Sequence, residues 1–364
     1  MDGSRIAGER LRSTRLTGPG FRSPEEAVGW HLAMQSQDYE PAAWSIGQRS
    51  AGLTRDAVDD ALLAGRIVRT HVLRPTWHFV AGEDIRWLLA LSAPRVHRAN
   101  ATRYRQLELD ARTFARAERA LVRALRGGER LTRKELAKVL DDAKIDHVGQ
   151  RMPYLLSHAE LEAVIASGGL RGRQQTFALL DEQVPEPGRN LDRDEALREV
   201  VRRYLRSHGP ATVKDLSWWS GFTIADLNRG IEALGSEAER EEIDRLTFWS
   251  LRVRGRSRAA TAGLHLLQAY DETIVGYTVS RWFGDPRASD VAAAWRDPGR
   301  PTGVIVQDGR VAGHWRRLSD RDGIKIEALL YRPRPRGIDD ALRREADRHQ
   351  AFFGRPVGLD VRPI

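Results

Sequence analysis

A recurring order of two short helices followed by two β-rich runs is the feature that most constrains how this chain can fold. The first copy begins at Ser23-Pro24-Glu25-Glu26, where an N-cap Ser, a Pro at the first helical position and a capping-box Glu predict a helix start. Because Pro41 disfavours helical torsions in the residue before it, we expect this helix to end near Gln37 or Asp38. A second helix and two β-rich runs complete the copy, at residues 54–66, 67–73 and 76–80.

The same order of elements recurs twice more. Capping boxes open helices at Thr132 and Thr212, and Thr223 caps the second helix of the third copy. Gly221 and Gly235 are expected to end the two helices of that copy. The remaining elements are a helix at 147–161 and β-rich runs at 163–165, 175–179 and 241–253, the first two runs joined by a turn at Gly168-Gly169. Two helices followed by a two-stranded ribbon form the outline of a winged helix-turn-helix.

The pattern changes after residue 263 to short β-like runs, with one amphipathic helix near the C-terminus. Asp308-Gly309, between two of these runs, is a strong hairpin signal. The expected runs are 264–269, 273–279, 303–307, 311–315 and 324–331, and the expected helix is 338–352. We therefore predict an α+β protein with three tandem winged helix-turn-helix units and a C-terminal β-rich, barrel-like domain. The predicted boundaries are 1–110, 111–185, 190–262 and 263–364.

The charge of the chain favours a polyanionic partner. Lys and Arg number 59 against 50 Asp and Glu, which leaves a formal net charge of +9. Only five of the basic residues are Lys, and Arg is the side chain that binds phosphate through a bidentate fork. A genome that encodes most basic residues as Arg explains this ratio equally well but leaves the net charge unchanged. If the third wing is a regular strand, one of its faces carries the alternating arginines Arg252, Arg254, Arg256 and Arg258.

Several classes of chemistry lack support in the sequence. The chain has no cysteine, no P-loop, no HExxH and no GxSxG, and its ten histidines show no metal-ligand spacing, so we expect neither a metal nor a cofactor. Its apolar runs, such as Leu88-Leu89-Ala90-Leu91, are far shorter than the roughly 20 residues of a membrane span, and its N-terminal residues lead into no apolar signal core. A cytoplasmic protein without a membrane partner is expected. On pattern and charge alone, three tandem winged helices favour a non-catalytic DNA-binding transcriptional regulator.

Five segments, in order along the chain, carry a resemblance to a known family. They are 30–47, 66–70, 73–78, 270–277 and 308–315. The first contains Gln35-Ser36-Gln37, and the fourth begins with Tyr270-Asp271-Glu272. Together they resemble the signatures of the winged-helix DNA glycosylases typified by AlkZ and YcaQ. Because Gln37 stands where the YcaQ-like branch has Asp, the chain resembles the AlkZ-like branch, which includes self-resistance enzymes of producers of DNA-alkylating natural products.

The resemblance implies a monofunctional DNA glycosylase. Such an enzyme hydrolyses the N-glycosidic bond of bulky or crosslinked purines alkylated at N7 or N3 in duplex DNA, here as a monomer without a cofactor. The resemblance assigns catalysis to Gln35 and Gln37. The residues it assigns to substrate or DNA binding are Asp38, Tyr39, Arg69, Arg74, Thr76, Trp77, His78, Tyr270, Asp271, Arg310 and His314.

The chemistry of a Gln-x-Gln motif fits this assignment. A carboxamide does not titrate near neutral pH, so each Gln can hold a water molecule but cannot act as a true general base. A purine alkylated at N7 or N3 is cationic and leaves as a neutral base, so the site has only to place water and tolerate positive charge on the sugar. Positions i and i+2 lie about 200° apart on a helix, so Gln35 and Gln37 can share a site only if the helix ends between them.

Structural alternatives remain open for individual residues. Gln35 and Gln37 are also compatible with polar groups that bond loose carbonyls at a helix end, and Asp38 with a turn residue. His78 is compatible with a core histidine, and Trp218 and Trp219, beside a helix end, are expected in the core. For the whole chain, the regulator and a resistance protein that sequesters a DNA-alkylating drug remain alternatives to the glycosylase.

Overall fold

The computed structural model describes residues 2–185, 188–252, 263–297 and 302–364. It is a mixed helical and stranded structure with four separate sheets, each accompanied by helices. In this part of the chain, no helix combines the length and the apolar character that crossing a membrane requires.

The first sheet holds the Gln-x-Gln segment. The elements around it are α1 (Asp2–Ser13), α2 (Pro24–His31), β1 (Ala33–Gln35), α3 (Tyr39–Gly47), α4 (Arg55–Leu63), β2 (Ile67–Val72), β3 (Arg74–Ala81) and α5 (Ile85–Gln106). The strand order is β1-β3-β2, and all pairs are antiparallel. Ser23 caps α2 and Thr54 caps α4, each by accepting a backbone hydrogen bond, so these two predicted helix starts are confirmed.

The predicted end of α2 near Gln37 or Asp38 is wrong. The helix ends at His31, and Leu32 adopts a positive φ of 69°, which turns the chain into the buried strand β1. A short apolar run such as Leu32–Met34 does not distinguish a buried strand from a buried helix, because its periodicity is the same in both. The pairing with β3 decides the matter, and it places Gln35 opposite His78.

The second sheet has the strand order β4-β6-β5. Its elements are α6 (Ala111–Leu125), β4 (Leu131–Thr132), α7 (Arg133–Asp142), α8 (Arg151–Leu161), β5 (Ile165–Arg171), β6 (Gln174–Leu179) and α9 (Leu180–Gln183). The capping box of Thr132 is confirmed. The turn predicted at Gly168-Gly169 is wrong, because both glycines lie within β5 at an irregularity in its register, where Gly169 has a φ of 91°.

The third sheet is a two-stranded ribbon that follows three helices. These elements are α10 (Arg193–His208), α11 (Val213–Ser220), α12 (Ile224–Leu234), β7 (Ala238–Ile243) and β8 (Leu246–Leu251). The caps predicted at Thr212 and Thr223 are confirmed, and the two helices end at Gly221 and Gly235 as expected. The end of the predicted ribbon at Val253 and the wing arginines Arg254, Arg256 and Arg258 lie outside the described residues; Arg252 forms an ion pair with Glu239.

The fourth sheet has five strands in the order β13-β12-β11-β10-β9. Its region comprises β9 (Leu264–Leu267), α13 (Glu272–Val275), α14 (Ala288–Ala294), β10 (Gly303–Gln307), β11 (Arg310–Ser319), β12 (Ile324–Leu330), α15 (Ile338–Phe353) and β13 (Val357–Pro363). The hairpin at Asp308-Gly309 is confirmed by its two positive φ angles of 51° and 78°. The β-like run predicted over 273–279 is wrong, because Asp271 caps the short helix α13 there.

The barrel-like closure of this last region is also wrong. As far as the chain is described, the five-stranded sheet is open, with β9 and β13 at its edges. Apolar side chains of α15, among them Ile338 and Leu342, pack in one core with strand residues such as Ile326. The helix α15 therefore covers one apolar face of the sheet, and other strand residues, such as Val304 and Val306, pack in a second cluster with Leu11 and Ile274. The sheet buries its apolar side chains without curling on itself.

A buried ion pair fastens this C-terminal region to the first one. Arg49, which follows α3, donates hydrogen bonds of 2.8 and 2.7 Å to the two carboxylate oxygens of Asp271, and both side chains are fully buried. Burial alone opposes ionisation of Asp271, but the charge and hydrogen bonds of Arg49 outweigh it and lower the pKa of Asp271 to about 2. Ser45 donates a further hydrogen bond of 2.9 Å to the same carboxylate.

Removing the negative charge of this pair leaves Arg49 buried without a counterion. We expect Asp271→Asn to lower the free energy of unfolding by about 3–5 kcal/mol, measured by urea denaturation at pH 7. In the wild type, the contribution of Asp271 is full above its unfolded pKa of 3.8 and is lost as the pH falls through about 2, so the variant should depend less on pH in that window. Asp340→Asn, which breaks a pair that is about two-thirds exposed, is the control and should change stability little. Equal stability of Asp271→Asn and the wild type would contradict the analysis.

Candidate active site around Gln35 and Gln37

Strand pairing with β3 holds Gln35 in an extended conformation, and the chain bends at Gln37 and Asp38 before α3 begins. Gln35 is the last residue of β1, and the backbone N–H of Ser36 continues the pairing by donating a hydrogen bond of 2.7 Å to the carbonyl of Trp77. The helix α2 has already ended at His31, so the condition that a helix must end between Gln35 and Gln37 for them to share a site does not arise. Gln35 is only 7 % exposed, whereas Gln37 is exposed.

Gln35 is held through both its backbone and its side chain. Its backbone N–H donates a hydrogen bond of 2.6 Å to Oε1 of Glu272, and its side-chain Oε1 accepts one of 2.9 Å from Arg74. Burial lowers the pKa of Arg74, and the charge of Glu272 opposes that effect. The bond from Arg74 uses one lone pair of the amide oxygen, and a carboxamide has a second lone pair and an NH₂ group with which it can also bind a water molecule or a substrate.

Glu272 is a buried carboxylate that sequence reasoning did not select as a site residue. It is 1 % exposed, and besides Gln35 it accepts hydrogen bonds from Nε2 of His208 at 3.1 Å and from the indole of Trp219 at 2.8 Å. Burial opposes its ionisation, but the hydrogen bond and charge of His208 outweigh burial and lower its pKa. The signal that could have identified it was present in the Tyr270-Asp271-Glu272 motif, of which only the first two residues were selected.

Arg69 fixes the backbone between the two glutamines. Its guanidinium donates hydrogen bonds to the carbonyl of Ser36 at 3.0 and 2.8 Å and to the carbonyl of Gln37 at 3.1 Å. It also bonds to Gln175 of β6 and lies 4.1 Å from the ring centroid of Trp77. Burial lowers the pKa of Arg69 to about 10, so the side chain still carries its charge at neutral pH.

His78 lies opposite Gln35 and is fully buried. Its Nδ1 is 3.0 Å from the carbonyl of Thr76, and burial lowers its pKa to about 3, so the ring is neutral at physiological pH. Within the described part of the chain, Nε2 of His78 and the hydroxyl of Thr76 make no hydrogen bond although both atoms are buried. Buried polar atoms usually have a partner, so these two atoms are suited to ordered water or a ligand.

A cavity of about 1070 Å³ opens beside this cluster, and Gln37, Arg69 and Trp77 line it from the first region. The opposite wall comes from α7, α8 and β6 of the second region and includes Lys134 and Phe177. Its volume is at the upper end of the range for small-molecule pockets, which leaves room for a purine that carries a bulky substituent.

The other predicted site residues are distributed between this cluster and places outside it. Asp38 is exposed and occupies the N-cap position of α3 without a capping hydrogen bond, and Tyr39 donates a hydrogen bond of 2.5 Å to Asp59. Tyr270 is 37 % exposed. Arg310 is exposed, and its guanidinium is 3.5 Å from the hydroxyl of Ser4.

Two of the predicted residues are committed to buried structural contacts. Both oxygens of Asp271 bond to Arg49, and Nε2 of the fully buried His314 is 2.8 Å from the hydroxyl of Tyr331. Of the predicted site residues, Gln37, Arg69 and Trp77 line the cavity. The others are not among its lining residues: Gln35, Asp38, Tyr39, Arg74, Thr76, His78, Tyr270, Asp271, Arg310 and His314. The expectation that Trp218 is a core residue is also wrong, because it is 48 % exposed beside Arg74, whereas Trp219 is fully buried.

Comparison with known proteins identifies the family. The sequence model of the AlkZ-like DNA glycosylases, described as DNA glycosylase AlkZ-like, matches residues 28–352. The chain belongs to the AlkZ-like DNA glycosylase family. The resemblance seen in the sequence is thereby confirmed, and so is the enzyme class, a DNA glycosylase.

A curated relative and a solved structure, both from Streptomyces sahachiroi, illustrate the relationship. The chain is 25 % identical to an interstrand DNA cross-link repair glycosylase, over 80 % of this chain and 82 % of that protein. The structure of the DNA glycosylase AlkZ superposes with a TM-score of 0.77 at 22 % identity and covers 99 % of both chains. This AlkZ-like chain therefore shares the overall fold of that structure.

Because Glu272 accepts hydrogen bonds from three donors, we expect its carboxylate to stabilise the folded glycosylase. In Glu272→Gln, one acceptor oxygen becomes an NH₂ group that faces a donor, Gln35, His208 or Trp219, whichever way the amide is turned. We expect a loss of about 1–3 kcal/mol in the free energy of unfolding, measured by urea denaturation. Glu162→Gln, at a side chain that is 49 % exposed, is a matched control that should have a much smaller effect. Equal free energies of unfolding for the two variants would show that the hydrogen bonds to the Glu272 carboxylate do not stabilise the fold.

Proposed function

We propose that this chain is a monofunctional DNA glycosylase that hydrolyses the N-glycosidic bond of bulky or crosslinked purines alkylated at N7 or N3 in duplex DNA. The observation that carries the proposal concerns the motif: Gln37 lines a cavity of about 1070 Å³, and Gln35, two residues earlier in the chain, is held by hydrogen bonds to Arg74 and Glu272. The name of the S. sahachiroi relative, an interstrand DNA cross-link repair glycosylase, supports crosslinked purines as the substrate class.

The chemistry follows from the residues that the site offers. When a cationic alkylated purine departs as a neutral base, the C1′–N bond breaks and positive charge develops on the sugar. A water molecule then adds to C1′ and loses a proton to solvent, which leaves the abasic sugar. Gln35 and Gln37 position that water through their carboxamides, and the backbone contacts of Arg69 and Glu272 keep the two residues in place before the reaction begins. The buried carboxylate of Glu272 lies beside Gln35 and opposes the charge of Arg74, which lowers the electrostatic cost of admitting a cationic base and sugar.

The wider arrangement supports binding along a duplex. We propose that residues 1–110, 111–185 and 190–262 are three tandem winged helices and that 263–364 form the β-rich domain. Asp38, Tyr39, Thr76, Trp77 and His78 contact the lesion or its strand because they surround the motif. Tyr270 and Arg310 contact the DNA at a greater distance from the motif. Asp271 and His314 contribute indirectly, through the buried contacts that stabilise the fold. A net charge of +9 favours this partner.

The remaining parts of the proposal concern the setting of the enzyme. The protein acts as a cytoplasmic monomer without a cofactor. The Gln-x-Gln form of the motif favours self-resistance to a DNA-alkylating natural product as its biological role.

Release of a free base separates this proposal from its alternatives. The purified protein is incubated with duplex DNA that contains N7-methylguanine and, separately, with duplex that carries an N7-linked interstrand crosslink. A glycosylase releases free N7-methylguanine from the first substrate and unhooks the second, whose strands separate while the excised base stays attached to the opposite strand. A transcriptional regulator binds DNA and leaves both substrates intact. A drug-sequestering protein binds the free alkylating agent without DNA and also releases no base. Absence of base release from every alkylated duplex would overturn the proposal.

The enzyme is expected to stop at the abasic site without cutting the strand. Strand cleavage by a glycosylase ordinarily requires an amine that forms a Schiff base with the sugar. The chain has only five lysines, none of them in 1–110, and Lys134 alone is among the residues lining the cavity. Borohydride trapping on lesion-bearing DNA should yield no covalent complex, and strand breaks should appear only after alkali. A trapped complex that is lost in Lys134→Met would replace water with that amine as the nucleophile.

A further inference from the structure

Two histidines and a glutamate that no part of the proposed reaction uses converge between α5 and α8. His97 lies on α5, His158 lies on α8, and Glu162 directly follows α8. One potential ligand atom from each of the three lies within 4.8 Å of the other two. Nε2 of His97 is 2.9 Å from Oε1 of Glu162, and the centroids of the two imidazole rings are 4.7 Å apart.

The second nitrogen of each ring already has a partner. Nδ1 of His158 is 3.0 Å from Oε1 of Glu118 on α6. Because a carboxylate only accepts hydrogen bonds, this contact places a proton on Nδ1 and leaves the lone pair of Nε2 available. Nδ1 of His97 is 3.0 Å from the hydroxyl of Tyr104. Metal-ligating histidines characteristically use their outer nitrogen in this way, and the outer contact sets the tautomer and the orientation of the ring.

Packing also restricts the orientation of these rings. His158 stacks on Phe114 with a centroid distance of 3.7 Å and an interplanar angle of 11°. Tyr104 packs against His97 at 6.1 Å and against His158 at 6.0 Å. The ring environment is therefore built by three helices, α5, α6 and α8, and does not depend on an isolated surface pair.

We propose that His97, His158 and Glu162 form a binding site for one divalent transition-metal ion and that Zn²⁺ is the ion their donor set fits best. Two imidazole nitrogens and one carboxylate oxygen are a common protein ligand set for Zn²⁺, whereas Ca²⁺ and Mg²⁺ prefer oxygen ligands throughout. Bonds of about 2.1 Å in a tetrahedral site separate ligand atoms by about 3.4 Å, so a modest contraction of the present cluster suffices. The Glu162 side chain is 49 % exposed, so water can take the fourth position.

The location gives the ion a structural role. α5 contributes Asn100 to the wall of the cavity beside Gln37, and α8 contributes Tyr154 and Ser157. An ion that joins His97 to His158 ties these two helices together. Because the unfolded chain does not hold the three ligands at these distances, binding selects the folded protein and raises its melting temperature.

The test uses the full-length chain without a polyhistidine tag, stripped with a chelator and then dialysed. Zn²⁺ is titrated calorimetrically, and thermal unfolding is followed with and without the ion. We expect one saturable site per chain and a higher melting temperature with Zn²⁺. Glu118→Gln, which alters the outer contact of His158, should weaken binding by about 10- to 100-fold. His97→Gln and Glu162→Ala each remove a ligand and should weaken it further.

A matched histidine control and a fold check complete the design. His147 pairs with Asp141 and is not part of the cluster, so His147→Gln should bind Zn²⁺ like the wild type. Circular dichroism establishes whether each variant is folded. If His97→Gln does not fold, Glu162→Ala alone tests the role of the ligands, because the half-exposed Glu162 side chain can be removed with little effect on the fold. No saturable binding by the wild type, or binding of undiminished affinity in Glu162→Ala, would overturn the proposal. Neither result bears on base release, which is tested separately.

Discussion

The geometry of the candidate active site depends on the buried ion pair between Arg49 and Asp271. That pair anchors the chain at the start of α13, so the next residue, Glu272, lies where it can accept the backbone N–H of Gln35 at 2.6 Å. The two hydrogen-bonded residues are 237 positions apart in the sequence. Glu272 of the C-terminal region therefore holds the backbone of the Gln-x-Gln segment. Arg69 and Arg74, from the same sheet as the segment, hold it through further hydrogen bonds.

This arrangement explains how uncharged side chains can serve a hydrolytic site. A carboxamide contributes little as a base, so its effect depends on how well its position and orientation are fixed. Arg74 orients the amide of Gln35, Arg69 fixes the carbonyls of Ser36 and Gln37, and burial keeps His78 neutral. The charged groups thus hold the two glutamines in place, and Gln37 lines the cavity where we propose that water and the alkylated nucleotide meet.

The sequence predicted local features well, because their physics is local. The capping boxes at Thr132 and Thr212 and the turn at Asp308-Gly309 each depend on a few neighbouring residues, and all three are confirmed. Strand β1 was missed because the pairing of Gln35 with His78 decides its conformation. Likewise, Glu272 was visible within a motif, but only the folded chain reveals that it lies against Gln35.

The cluster of His97 and His158 is another feature that the sequence could not predict. The two residues are 61 positions apart and lie on different helices, so no spacing rule for metal ligands applies to them. Their outer contacts to Tyr104 and Glu118 come from two helices as well. Because the packing of helices brings these residues together, only the folded structure shows that they form one cluster.

Single-turnover base release by Gln35→Ala and Gln37→Ala tests the central claim most directly. Gln150→Ala, at a glutamine that contacts Arg103 and is exposed, serves as the matched control. If the two motif glutamines place the attacking water, each motif variant loses on the order of 100-fold in rate or more, while affinity for the lesion-bearing duplex changes by no more than a few-fold. Rates equal to that of Gln150→Ala in both motif variants would contradict the account.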